Sequence, residues 1–245
     1  MSASVYDQHV RFYVDFVDAG LRDPDDLRHL LIRRFEAEIG ERIRDGSVLD
    51  LACGEGYLSR YVARLRPREV VGVDLSASLI DVARQRNVSP LSTFRVDDAQ
   101  RLATVMDATI DVALSQLALM DIADHRAMFG AVHRVMKSGG TFGFSLLHPC
   151  FEGPFRLPNE PQFIKDESGA DVAVAVRRYA TEGHWQSGGT GVRGHMGAYH
   201  RTLATLINDL IGAGFTLERL EEPVSDGDGL SSQVPRSLLV ISRRT

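Results

Sequence analysis

The residues best placed for chemistry sit at the ends of short apolar, β-branched runs. The first run is Val48-Leu49-Asp50-Leu51, and it breaks at once into Ala52-Cys53-Gly54-Glu55-Gly56-Tyr57. With no Cβ at Gly54 and Gly56, the backbone there can come close to a ligand. Asp50, just before the turn, suits a ligand carrying an ammonium group better than a pyrophosphate. Ser59 stands where a dinucleotide fingerprint has its third small residue, which disfavours a nicotinamide dinucleotide, and no Walker lysine follows. The second run, Val70-Val71-Gly72-Val73-Asp74-Leu75-Ser76, puts an acid about 20 residues past the glycines, where a carboxylate can accept both hydroxyls of a ribose. A third, Arg95-Val96-Asp97-Asp98-Ala99, offers an acid and a backbone N–H to an adenine edge. The fourth, Asp111-Val112-Ala113-Leu114-Ser115-Gln116, ends in small polar groups that line the rest of the same ligand.

A second set of candidates follows the fifth run. Leu147-His148-Pro149-Cys150-Phe151 lies where an open α/β sheet places its ligands, so His148 reads either as a general base or as a histidine bonded to backbone at a strand end. Glu182-Gly183-His184-Trp185 and Arg193-Gly194-His195-Met196-Gly197-Ala198-Tyr199-His200-Arg201-Thr202 crowd histidines, the single Trp and a Tyr into a Gly-rich segment. Aromatic walls with a few polar groups are what a small-molecule pocket uses. Tyr199 and His200 are read as opening a helix that faces the pocket, with Arg201 and Thr202 bracing it. His148, His200 and Tyr199 are the candidates for chemistry, and Phe151, His184, Trp185 and His195 for substrate contact. Tyr6 and Tyr13, seven apart, share one helix face and either pack in the core or cover the ligand. Asp121 either reaches the pocket or caps the helix that begins near His125, and the cap is the preferred reading. No His-x-x-x-His or paired-cysteine spacing supports a metal site.

The elements that must hold these residues follow from periodicity. Helical spacing runs over residues 5–19, and again from Pro24 to Ile43 with Asp23 as cap. From Val48 onward strands alternate with helices in the rhythm of βαβ units: strands at 48–51, 69–74, 92–96, 110–115 and 140–147, with helices at 57–65, 78–86, 100–106 and 125–135. A Gly- and Pro-rich stretch with one strand or hairpin near 172–179 interrupts the rhythm. A helix over 199–213 and two strands, 215–220 and 236–242, close the chain. The expectation is one domain: a helical cap at 1–44, a ligand-binding core at 45–147, a lid insertion at 148–198, and a closing helix and strands at 199–245. Its sheet is doubly wound, seven-stranded and mostly parallel.

With 44% hydrophobic and 25% charged residues in 245, the chain can bury a real core, and its net charge of −5 argues against nucleic acid or an anionic membrane as partner. The polar, acidic N-terminus, two isolated cysteines and lack of a long apolar run point to a cytoplasmic protein, a monomer or homodimer, acting on a small molecule.

Four strand ends that supply, in order, a Gly-rich loop, an acid, an acid and small polar residues resemble the motifs of the class I S-adenosylmethionine-dependent methyltransferases. The resemblance covers residues 45–147 closely and the rest loosely. The family's loop reads D-x-G-x-G-x-G, and here Ala52 replaces the first glycine. The resemblance implies a Rossmann-like fold and S-adenosylmethionine as cofactor. Asp50, Ala52, Cys53, Gly54 and Gly56 would surround the methionine moiety, under Tyr6 and Tyr13. Asp74 with Leu75 would hold the ribose, and Asp97, Asp98 and Ala99 the adenine, with Ser115 and Gln116 along the fourth strand end. The segment around His148 and the Tyr199–Thr202 stretch resemble a subgroup found in natural-product or secondary metabolism. Three alternatives stand beside methyl transfer: a cyclase or rearrangement enzyme that keeps the cofactor unchanged, a non-catalytic cofactor-binding scaffold, and the disfavoured oxidoreductase.

Overall fold

Seven strands build the central sheet: β1 (Ser47–Leu51), β2 (Glu69–Asp74), β3 (Ser92–Val96), β4 (Ile110–Gln116), β5 (Met136–Leu147) and, after an insertion, β10 (Phe215–Glu221) and β11 (Ser237–Arg244). The insertion carries β6 (Phe163–Lys165), β7 (Asp171–Val174), β8 (Gly183–Trp185) and β9 (Ala198–His200). The computed structural model describes residues 4–152, 154, 160–226 and 228–245, so part of the 148–198 stretch lies outside the described residues. The sheet order is β10-β11-β5-β4-β1-β2-β3. All pairings are parallel except those of β11, which runs antiparallel to both β5 and β10. The chain enters at β1, winds outward through β2 and β3, then crosses back to β4 on the other side. The crevice therefore opens at the C-terminal ends of β1 and β4, the switch point where such sheets bind ligands.

β1 is buried along its whole length, as a central parallel strand covered on both faces must be. One face packs Phe129, Phe142, Phe144 and Leu210 from α5 (His125–Val135), β5 and α7 (Leu203–Gly212). The other packs Leu31, Phe35 and Ile39 of α2 (Leu27–Ile43) against Val48, Leu114 and Ile241. The remaining helices are α1 (Val10–Arg22), α3 (Tyr57–Val62), α4 (Ala77–Arg86) and the short α6 (Val192–His195). No described helix is long and apolar enough to cross a membrane.

Five expected elements differ, four of them for a local reason. No helix forms over 100–106, because the Asp97 carboxylate accepts the N–H groups of Asp98, Ala103 and Thr104 and Leu102 is left-handed (φ 48°), which fixes a turn. The first segment is a 3-10 turn (Val5–Gln8) before α1, closed by a reciprocal Ser4–Asp7 capping box. α2 starts at Leu27, where the Asp26 carboxylate accepts the Arg28 N–H at 2.8 Å, rather than at Pro24 under Asp23. The last helix begins at Leu203 under Thr202, so Tyr199 and His200 do not open it. They lie on β9, paired with β8, where neighbouring side chains point to opposite faces. The insertion holds two hairpins, β6–β7 and β8–β9, instead of one.

Candidate active site

The turn after β1 uses positive φ at every second residue: Ala52 at 52°, Gly54 at 56° and Gly56 at 83°. This tight left-handed path returns the chain to β2, where the Cys53 N–H donates to the Val73 carbonyl at 2.9 Å. Gly56 is needed for space as well as for φ, since a Cβ there would stand 3.0 Å from the Phe94 ring. Ala52 sits in the left-handed region without glycine's freedom, at a cost of about 1 kcal/mol. Ala52→Gly is therefore expected to raise stability by up to about 1 kcal/mol, less what glycine loses to unfolded-state entropy. Urea denaturation would show it as a higher midpoint at unchanged slope.

Asp50 points up under this turn. Its carboxylate is essentially inaccessible and accepts the Ser59 hydroxyl at 2.6 Å. Burial pushes its pKa up to about 7, against the lowering effect of the Ser59 bonds. Ser59 thus has a job that a third glycine could not do: it steadies a buried acid that has no cationic partner among the described residues. Asp74 closes the turn from the other side, accepting the Gly54 N–H at 2.9 Å and the Ser76 N–H at 2.8 Å, one on each oxygen. Burial raises Asp74 to about 6, those two bonds lower it, and Asp121 and Asp7 raise it again. Each Asp74 oxygen keeps a lone pair for a ligand hydroxyl.

Asp50, Ala52, Cys53, Gly54, Asp74, Leu75, Asp97, Asp98, Ala99 and Gln116 all line one cavity of about 500 Å³, within the range of small-molecule sites. Tyr6 and Tyr13 close it from above, their rings edge-to-face at 4.9 Å, with the Tyr13 ring against Gly54. Two expected members do not reach the wall. Gly56 lies beneath the turn against Phe94, and Ser115 is buried in the sheet with its hydroxyl unpartnered among the described residues. Asp97 borders the cavity, but its carboxylate is committed to holding the 98–104 turn and the Thr104 hydroxyl. Asp98, which accepts only from Gln100 close by, is the freer acid at this edge.

The insertion supplies the opposite wall through His184, Gln186, Met196, Ala198 and Tyr199. Tyr199 and His184 face each other across β8–β9 at 4.9 Å, and Gly197 (φ 70°) leaves room for the His184 ring. The other histidines are elsewhere. His148 borders a separate cavity of about 40 Å³, and both of its ring nitrogens are engaged. Nδ1 accepts the Cys150 N–H at 3.2 Å, which makes Nε2 the donor to Glu222 at 2.8 Å, while Phe151 stacks on the ring at 4.6 Å. His148 therefore has no lone pair facing the large cavity, and Phe151 serves the His148 ring. His200 turns to the small cavity and donates Nε2–H to the Tyr179 carbonyl at 2.8 Å, and burial lowers its pKa. Trp185 also lines the small cavity, while His195 packs between His9 and Phe12 of the N-terminal segment.

Sequence reasoning weighed Asp121 for the pocket but missed its place there by preferring a cap. Asp124, not Asp121, caps α5, its carboxylate accepting the Ala127 N–H at 2.9 Å. Asp121 is left to line the large cavity. Tyr57, beside the second glycine, was missed as well and lines the same wall. No group of three or more metal-ligating side chains occurs among the described residues.

A doubly wound sheet of this order, with a left-handed Gly-rich turn after its first strand and acids at the tips of the next two, is a Rossmann-like nucleoside-binding architecture. Residues 49–144 match the family described as "Methyltransferase domain". The crystal structure of an S-adenosylmethionine-dependent methyltransferase from Mesorhizobium loti superposes with a TM-score of 0.70 at 28% identity, over 83% of this chain and 93% of that one. An uncharacterized protein of Haemophilus influenzae is 27% identical over 216 residues, 82% of this chain and 80% of its own length. N-demethylindolmycin N-methyltransferase of Streptomyces griseus is 34% identical over 91 residues, 37% of this chain and 38% of that protein. The family match over the core and the structural likeness support a class I S-adenosylmethionine-dependent methyltransferase.

Proposed function

We propose that this enzyme transfers a methyl group from S-adenosylmethionine to an O, N or C atom of a small metabolite bearing an aromatic or similarly flat group. The observation that supports this most is the division of one cavity between two sets of walls. The strand ends offer acids and a tight turn to the cofactor, and the insertion offers Tyr199, His184, Gln186 and Met196 to an acceptor. The cofactor supplies an already activated methyl group on a sulfonium. What the protein must add is alignment and the exclusion of water. Asp50 would hold the ammonium group, Asp74 the ribose hydroxyls and Asp98 with the Ala99 N–H the adenine. Tyr6 and Tyr13 would cover the methionine end. An acceptor that must lose a proton needs a base within reach. Of the three residues first assigned to chemistry, Tyr199 is the one in the cavity wall, and His184 stands beside it. In this reading residues 1–44 act as cap and 148–198 as lid of a single cytoplasmic catalytic unit.

Calorimetry tests the cofactor half directly. Asp74→Ala removes a charged acceptor of two hydroxyls and should weaken S-adenosylmethionine binding about 100-fold, at roughly 1.5 kcal/mol or more for each bond to a charged group. Unchanged affinity would sink the assignment. Accumulation of S-adenosylhomocysteine during turnover separates methyl transfer from a reaction in which the cofactor is kept.

A further inference from the structure

Five carboxylates line the large cavity, Asp50, Asp74, Asp97, Asp98 and Asp121, and no described Lys or Arg does. Four of them are accounted for by the nucleoside and the loops around it. Asp121 stands across from that group, on the 3-10 turn Leu119–Asp121 that follows β4. It is bound by two partners that come from the covers of the cavity. Arg193, on α6 of the insertion, donates to its two oxygens at 2.5 and 3.4 Å, and the Tyr6 hydroxyl of the N-terminal segment hydrogen-bonds to it. The Arg193–Asp121 pair is oriented. Asp121 borders the large cavity, whereas Arg193 borders the small one behind it and is anchored there by the Gly197 carbonyl at 2.8 Å.

The pair therefore presents its negative end to the cavity, at the end closed by Tyr6 and Tyr13 over Gly54. Burial pushes the Tyr13 hydroxyl up and the charges of Asp121 and Asp74 push it further, so both carboxylates act on the ring that covers Gly54. Gln116 borders this wall. Its Nε2 donates to the Arg28 carbonyl at 3.0 Å, and its buried Oε1 has no partner among the described residues.

We propose that Asp121, held in place by Arg193 and Tyr6, recognises the positive charge at the cofactor's sulfur, so that the enzyme prefers S-adenosylmethionine to S-adenosylhomocysteine. The inference rests on the cofactor assignment above. Methyl transfer erases that charge, so the same carboxylate that holds the reactant loosens the product. In a site of intermediate dielectric, a charge a few ångströms away, partly countered by the guanidinium behind it, is worth about a tenfold difference in affinity.

The test is calorimetric at pH 8 with three ligands of one shape: S-adenosylmethionine, S-adenosylhomocysteine, and sinefungin, which carries an ammonium in place of the sulfonium. The wild-type enzyme should favour both cationic ligands over S-adenosylhomocysteine by about tenfold. Asp121→Asn keeps an acceptor for Arg193 and Tyr6 and should bring the three affinities together, with S-adenosylhomocysteine unchanged. Arg193→Gln removes the countercharge and should widen the preference, which gives a second reading should Asp121→Asn fold poorly. Equal weakening of all three ligands by Asp121→Asn would make Asp121 a structural residue. A wild-type enzyme that binds all three alike would also overturn the proposal, as would a preference narrowed by Arg193→Gln. Failure of the wild type to bind any of them would instead remove the cofactor assignment.

Discussion

Asp50→Asn is expected to melt higher than the wild-type enzyme at pH 8 while binding S-adenosylmethionine at least about 100-fold more weakly. The two effects share one cause. The wild-type carboxylate is buried with one strong hydrogen bond, from Ser59, and burial lifts its pKa to about 7. In the unfolded chain it titrates near 3.9. The folded state therefore holds this proton more tightly. The resulting stability is fully present below about pH 4 and is lost as pH rises through about 7. At pH 8 the ionised group costs up to about 4 kcal/mol, which Asn does not incur. The difference should appear as a rise of several degrees in melting temperature at pH 8. It falls to about 1.5 kcal/mol at pH 5 and toward zero only below about pH 4, where the group is neutral in the folded and unfolded chain alike. Binding runs the opposite way. A cationic ammonium stabilises the ionised form, so binding near neutral pH should release a proton, and affinity should fall as pH drops from 8 to 5. Calorimetry in buffers of different ionisation enthalpy reads that proton. An Asn variant that melts lower at pH 8 yet binds normally would show that Asp50 supports the fold rather than the ligand.

The parts of this site that depend on neighbours in sequence were legible, and those that depend on neighbours in space were not. The order of strand ends identified Asp50, Gly54, Asp74 and Asp98, because in a doubly wound sheet the chain order itself fixes which tips meet at the switch point. Ser59 was read only as a departure from a fingerprint, because its bond to Asp50 spans nine residues across the turn. Asp121 was mistaken for a cap because Asp124, three residues on, satisfies the same pattern, and only the fold shows which of the two meets a helical N–H. The histidines misled most. A histidine at a strand tip looks chemically available in sequence, yet His148 has both nitrogens engaged by Cys150 and Glu222, the latter 74 residues away. His200 and Tyr199 are adjacent, but the helical reading put them on one face. As strand residues they part: Tyr199 borders both cavities, and His200 only the small one. The β8–β9 pairing that decides this joins short segments separated by a Gly-rich stretch with no periodicity of its own.

Glu55, five residues past Asp50 in the same turn, should respond with the opposite sign. Its side chain is as inaccessible as that of Asp50, but it is surrounded by cations. Arg60 of α3 donates to both carboxylate oxygens at 3.0 and 2.8 Å and to the Glu55 backbone carbonyl at 2.7 Å. Arg86, at the end of α4, reaches Glu55 at 3.0 Å and grips Asp18 of α1 with two bonds at 2.7 and 2.9 Å. One buried carboxylate thus ties the cofactor turn to three helices, among them the one that carries Tyr13. Glu55→Gln leaves two guanidinium groups without their central partner, and losing one member of a buried pair costs about 3–5 kcal/mol. Because Arg60 and Arg86 are each partly exposed, water recovers some of that. The expected loss is therefore about 2–3 kcal/mol by urea denaturation, and it should persist at high salt because the site is shielded from ions. Arg11–Asp15, an exposed i,i+4 pair on α1, provides the control, and Asp15→Asn should change stability by less than about 0.5 kcal/mol. Cofactor affinity should fall along with stability in Glu55→Gln, because α1 loses its anchor through Arg86. A variant as stable as wild type would mean that Arg60 and Arg86 find other partners. The opposite signs at Asp50 and Glu55 would then no longer follow from which of the two buried acids has a cation beside it before the cofactor arrives.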